Sequence, residues 1–295
     1  MQLKKPVLAL LVAFTAAGAC AQAQDTLKKV ADTGKLTLAY RESSVPFSYE
    51  VGAGKPAGLA VEMSEAIAAE VKRVVGKPVD VAWQSVTSAN RIPLLVNGTI
   101  DLECGSTTNN TARGKDVQFA INHFYTGTRL LTKKTSGINN YSDLNGKTIS
   151  TTTGTTNAQV MRKYIAEKNL KTDVIFGKDH SDSKLLVEAD RAVAFAMDDV
   201  LLFGLIATDK NPAAWHVVGD SLQVEPYACM LRKDDPKFQA LVNKVIGDMM
   251  RSGQFERLYN KWFTSPIPPN NINVNMPMAP ELKQNLKDLS DRPAT

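Results

Sequence analysis

The stretch VDVAWQSVTSANRIPLLVNGTIDLECGSTTNN, residues 79–110, carries the pattern that decides the fold. VDVAW (79–83) alternates apolar and polar side chains, the period-two signature of a strand. RIPLLV (91–96) is helix-like and stops at Asn97-Gly98, a pair that favours a turn. IDLEC (100–104) is another strand, and a polar turn follows it. Working outward, LTLAY (36–40) is a short apolar strand. The spacing predicts a helix over 59–75, because Leu59, Met63, Ile67 and Val71 recur every four residues with charges between them. Strand, helix, strand, helix, strand implies a parallel sheet covered by helices.

A second α/β series fills roughly 127–225. Strands are expected at 128–132, 148–151, 174–176, 193–197 and 215–218, with helical stretches at 158–167, 184–189 and 201–207. YACML (227–231) is a further strand and 238–262 an amphipathic helical region. Pro266, Pro268 and Pro269 end regular structure there, and a polar tail follows. No repeat of solenoid period is present.

The 295 residues are 43% hydrophobic and 22% charged, an ordinary globular composition that excludes disorder and collagen-like repeats. A chain this long buries a sizeable core and divides into about two domains. The start, MQLKKPVLALLVAFTAAGACAQAQ, has a basic head at Lys4 and Lys5, a short apolar core and an Ala21-Gln22-Ala23 motif. Those are the parts of a secretory signal peptide, expected over 1–23, and the apolar core is too short for a membrane span. Cys20 leaves lipidation as a second route. Without the two leader lysines the net charge of +5 falls to +3, too little to argue for nucleic acid. Cys104 and Cys229 remain after the leader. In an oxidising compartment they are either a disulfide or two buried thiols.

Polar clusters follow the strand ends, where α/β sheets tend to bind ligands. Arg41, Arg91 and Arg113 offer planar forks for carboxylates, or surface ion pairs. Ser88 lies just before Arg91. Gly105-Ser106-Thr107-Thr108 offers hydroxyls and amides before an expected helix, as an anion site or a plain N-cap. Thr153 to Thr156 repeats that pattern. Of Asp198 and Asp199, one caps a helix and the other faces the cleft to hold an ammonium. His180 is either structural or a ligand contact. Three arginines and one aspartate sum to a double positive charge, which suits an amino acid with an acidic side chain; an uncharged one leaves buried arginine unpaired. The three histidines show no metal-ligand spacing, and neither G-x-S-x-G nor G-x-G-x-x-G occurs where needed, so no metal, cofactor or catalytic centre is expected.

Seven segments carry a resemblance across the chain: RESSVPFSYE (41–50), SANRIPLLVNGTIDLECGSTTNN (88–110), GTRLLTKK (127–134), GKDHSDS (177–183), DRAVAFAMDD (190–199), YACMLRKDDPKF (227–238) and WFTSPIPPNNINVN (262–275). Together they resemble the family 3 periplasmic solute-binding proteins of amino-acid ABC transporters, most of all the members for acidic amino acids. The resemblance implies a two-lobe, type II periplasmic-binding-protein fold of mostly parallel sheets joined by two crossing strands. Lobe 1 would be 24–126 plus 227–295, and lobe 2 would be 127–226. Arg113, Ser106 and Thr108 would hold the ligand's α-carboxylate, with Thr156 adding a contact from the other lobe. Asp198 would take the α-ammonium, and Arg41, Ser88, Arg91 and His180 the side-chain carboxylate. A periplasmic monomer delivering L-glutamate or L-aspartate to an inner-membrane ABC permease is the implied function. The competing expectation is a prephenate- or arogenate-type dehydratase on the same fold, with Glu42 or Glu103 as general acid.

Overall fold

The computed structural model describes residues 25–295; the expected signal peptide and Cys20 lie outside the described residues. Two five-stranded sheets form two lobes. In the first the order is Asp80–Ser85, Lys35–Tyr40, Leu102–Glu103, Glu225–Arg232, Val117–Thr126. In the second it is Asp173–Gly177, Thr148–Thr152, Ala194–Asp198, Thr128–Lys133, Trp215–Val218. In each sheet one strand runs against the other four: Glu225–Arg232 in the first, Thr128–Lys133 in the second. Both reversed strands are the ones the chain enters on crossing from the other lobe.

Helix Leu59–Val75 shows why the first lobe forms. Leu59, Met63, Ile67 and Val71 are fully buried along one stripe and share a core with Leu36 and Leu38 of strand Lys35–Tyr40. Each such side chain contributes roughly 1.5–3 kcal/mol of burial. Gly76 ends the helix in the left-handed region at φ 65°, which glycine adopts without a Cβ clash. The second lobe has its own core of Leu130, Ile149, Ala194, Ala196, Met161 and Tyr141.

Four features differ from the sequence expectations. Val117–Thr126 is a ten-residue strand that alternation could not reveal, because it is buried on both faces. The helical region at 238–262 is two helices, Pro236–Arg251 and Gln254–Phe263, broken at Gly253 with φ 73°. The tail carries a helix, Pro280–Asp288, and then a strap in which Ala294 bridges to Asn110. No helix follows the 105–108 turn; Thr108 instead forms a bridge with Tyr227, and only a short 3-10 turn, Arg113–Lys115, comes after. Cys104 and Cys229 are disulfide-bonded across 125 residues, tying the strand before that turn to the reversed strand.

The lobes meet at the crossing. Gly127 joins Val117–Thr126 to Thr128–Lys133, and a Cβ there would sit 2.1 Å from the Gln223 carbonyl oxygen on the return segment. Opposite, Gly154 of the second lobe packs on the first: its Cβ would lie 2.6 Å from Ala89 Cα, and its φ is +80°.

Candidate ligand-binding site

The strand ends converge on one narrow pocket between the lobes. Ser88, Arg91, Ser106, Thr108 and Arg113 line it from the first lobe, and Thr156, His180 and Asp198 from the second. These are eight of the nine residues singled out from the sequence. The ninth, Arg41, stands behind the wall: its Nη1 lies 3.4 Å from Ser106 Oγ and its Nη2 3.2 Å from His180 Nε2.

One end of the cavity is cationic. Arg91 is almost fully buried at the start of helix Arg91–Val96, and its Nη1 donates to the Ser106 carbonyl at 3.2 Å. Burial lowers its pKa to about 9; Glu103 opposes this, while Arg113 and Arg41 add repulsion. A guanidinium stays charged there at neutral pH. Arg113, half-buried, donates to the carbonyls of Thr108 at 2.9 Å and Gly154 at 3.3 Å. Arg41 is fully buried and paired with Asp179 at 2.6 Å. Arg41 Nε, Arg91 Nε and Ser88 Oγ have no hydrogen-bond partner within the protein. Buried donors of this kind cost free energy unless satisfied, and carboxylate oxygens satisfy them.

The expected double positive charge is not the sum the structure gives. Asp179 faces Arg41, Glu103 stands 4.0 Å from Arg91, and Glu225 lies buried behind the opposite wall. The cavity is polarised rather than uniformly cationic. Its second end is acidic: Asp198 is buried, accepting from Asn157 Nδ2 at 2.7 Å and from the Tyr227 hydroxyl. Burial, then the Glu225 charge, raises the Asp198 carboxyl well above the usual carboxylate range. Asp199 instead accepts from Thr126 Oγ1 at 2.6 Å, so Asp198 is the acid that faces the cleft.

His180 lines the cavity as a neutral ring; burial lowers its pKa to about 3. Arginine has only donors, so His180 Nε2 accepts from Arg41, and the proton sits on Nδ1 facing Thr152 Oγ1 at 3.0 Å. It therefore orients Arg41 rather than donating toward a ligand. Thr108 differs similarly from the carboxylate-holding role that the resemblance implied for it. Its hydroxyl donates to Glu225 Oε2 at 2.5 Å, as does that of Thr156 at 2.6 Å.

Sequence reasoning missed Asp179, Glu225, Asn157 and Tyr227. Asp179 stands beside His180 in GKDHSDS and Glu225 just ahead of YACML, so both were within reach of the segments that mattered. Glu42 and Glu103, the general-acid candidates, do not line the cavity; Glu42 is exposed and bonds Ser85, and Glu103 accepts from Thr107.

Residues 36–265 match the family model described as bacterial extracellular solute-binding proteins, family 3. The chain belongs to that family. As a family 3 solute-binding protein it is 45% identical to an L-glutamate/L-aspartate-binding protein of Pseudomonas aeruginosa, over 91% of this chain and 90% of that one. It is 44% identical to a glutamate/aspartate import solute-binding protein of Escherichia coli, over 99% of each chain. Among solved structures, an ancestral amino acid-binding protein described as a precursor of cyclohexadienyl dehydratase is similar at 26% identity and a TM-score of 0.69, covering 81% of this chain and 99% of that one. The fold is that of the two-lobe periplasmic amino-acid-binding proteins, and the relatives named at 44–45% identity are transport proteins rather than enzymes.

Proposed function

We propose that this protein captures an acidic L-amino acid, glutamate or aspartate, in the periplasm and delivers it to an inner-membrane ABC permease. The observation that carries the reading is the polarised cavity, with guanidiniums at one end and Asp198 at the other, contributed by both lobes. Arg113 and Ser106 hold the α-carboxylate, and Asp198 takes the α-ammonium. Arg91 and Ser88 take the side-chain carboxylate, while Arg41, oriented by neutral His180, supports that wall from behind through Ser106. The lobes are 24–126 with 227–295, and 127–226, hinged at the two crossings. Ligand contacts from both lobes favour the closed form, and closure presents a surface that a permease distinguishes from the open one.

Arg91→Ala tests the reading. Truncating a buried partner of a ligand carboxylate costs roughly 2–5 kcal/mol, so glutamate binding measured by calorimetry is expected to fall at least about 30-fold. Unchanged affinity in a folded Arg91→Ala protein contradicts the assignment.

A further inference from the structure

Behind the acidic end of the cavity stands a carboxylate that does not line it. Glu225 begins the reversed strand of the first sheet, is fully buried and pairs in register with Thr126 at the crossing. Its Oε1 accepts from the Gln223 amide. Its Oε2 takes two hydroxyls, Thr108 from the first lobe at 2.5 Å and Thr156 from the second at 2.6 Å. Both threonines line the cavity, and their hydroxyl oxygens are 3.3 Å apart.

A hydroxyl has one proton and two acceptor lone pairs, and a carboxylate only accepts. With both protons spent on Glu225, what Thr108 and Thr156 have left for the cavity is acceptor capacity. Asp198, on the same wall, is a third acceptor. An alkylammonium has three N–H donors. We propose that Glu225 is a positioning residue that sets the hydrogen-bond polarity of this end of the cavity: it turns Thr108 and Thr156 into acceptors and so makes the site demand an α-ammonium over an α-hydroxyl. Because its two hydroxyl partners come from different lobes, the same contact forms only on closure. The inference rests on the amino-acid-binding reading and adds the residue that enforces the amino group.

Glu225→Gln keeps size and shape and inverts this logic. Gln223 donates toward position 225, so the new amide keeps its oxygen there and points its NH₂ at the threonines. At least one hydroxyl then accepts from the amide and turns its proton into the cavity. L-glutamate and 2-hydroxyglutarate, in which a hydroxyl replaces the ammonium, are titrated into wild type and variant by calorimetry. Wild type is expected to prefer glutamate strongly. Glu225→Gln is expected to lose about tenfold or more for glutamate and much less for the hydroxy acid, narrowing the ratio by about tenfold. A purely structural role lowers both affinities together, and an unchanged ratio overturns the inference. If Glu225→Gln does not fold, Thr156→Val is expected to narrow the same ratio and Thr156→Ser to restore it; equal ratios in the two overturn it. Absence of glutamate binding in the wild type contradicts the amino-acid reading itself and the inference with it.

Discussion

Asp179 Oδ1 lies 2.6 Å from Nη2 of Arg41, joining the head of a second-lobe helix to the residue that follows the first strand of the other lobe. Ser43 Oγ adds a second cross-lobe contact, donating to Asp179 Oδ2 at 2.8 Å. A guanidinium that would otherwise be buried alone is thereby neutralised, and the closed arrangement of the lobes supplies the neutralising charge.

Asp179→Asn is therefore expected to lower the stability of the ligand-saturated, closed protein by about 1–3 kcal/mol, read as a lower melting temperature. Burial pushes the Asp179 carboxyl up, but Arg41 and the Ser43 hydroxyl outweigh it and hold it well below the usual range. A carboxyl depressed in the folded state stabilises above its unfolded value of about 3.9 and loses that contribution as pH falls further. The acid side of the stability curve should be flatter in Asp179→Asn than in wild type; identical acid limbs would show that the pair contributes nothing.

Asp198 behaves oppositely. Burial first, and Glu225 second, raise its carboxyl to about 8. The ligand-free fold holds a proton that the unfolded chain has lost, so this group costs stability as pH rises from about 4 to 8. An ammonium beside Asp198 reverses that. Glutamate binding near pH 6–7 is expected to release up to one proton, seen as binding heats that vary with the ionisation heat of the buffer. Asp198→Asn should abolish the variation; buffer-independent heats in wild type would contradict the linkage.

Gly154 is where the second lobe touches the first. Its φ of +80° disfavours any Cβ, and that Cβ would fall 2.6 Å from Ala89 Cα and 2.8 Å from the Ser88 carbonyl oxygen. Backbone cannot give way there. Gly154→Ala is expected to weaken glutamate binding about tenfold or more while each lobe stays folded. Small-angle scattering with saturating ligand should show a more open molecule; wild-type affinity and compactness would refute the contact's role.

The pattern that named the elements was local, and so were its failures. Helix Leu59–Val75 and strand Trp215–Val218 were legible to the residue because an apolar stripe or a run of β-formers stands between clear breaks. Val117–Thr126 was not, since burial on both faces erases alternation and puts Asn122 and His123 inside. The same limit shaped the site. Arg91 and Asp198 stand out as charges beside apolar strands. Asp179 and Glu225 matter through partners 138 and 117 residues away, Arg41 and Thr108, and no spacing rule reaches that far.

The bond between Cys104 and Cys229 closes a span of 125 residues, for which the chain-entropy model gives about 4–5 kcal/mol. Reduction is expected to lower the denaturant midpoint markedly while leaving glutamate affinity within about tenfold, because neither cysteine lines the cavity. An unchanged midpoint would mean the link contributes little.

The central claim is that first-lobe guanidiniums meet both carboxylates of one small acidic ligand while Asp198 of the second lobe takes its ammonium. Calorimetric titration of ligand-stripped protein with L-glutamate and, separately, with L-glutamine tests it most directly, because the two differ only in the charge of the side-chain end. The account expects tight binding of glutamate and binding of glutamine weaker by at least about a hundredfold, since an amide leaves Arg91 with only Glu103, 4.0 Å away, as counter-charge. Glutamine binding as tightly as glutamate would contradict it.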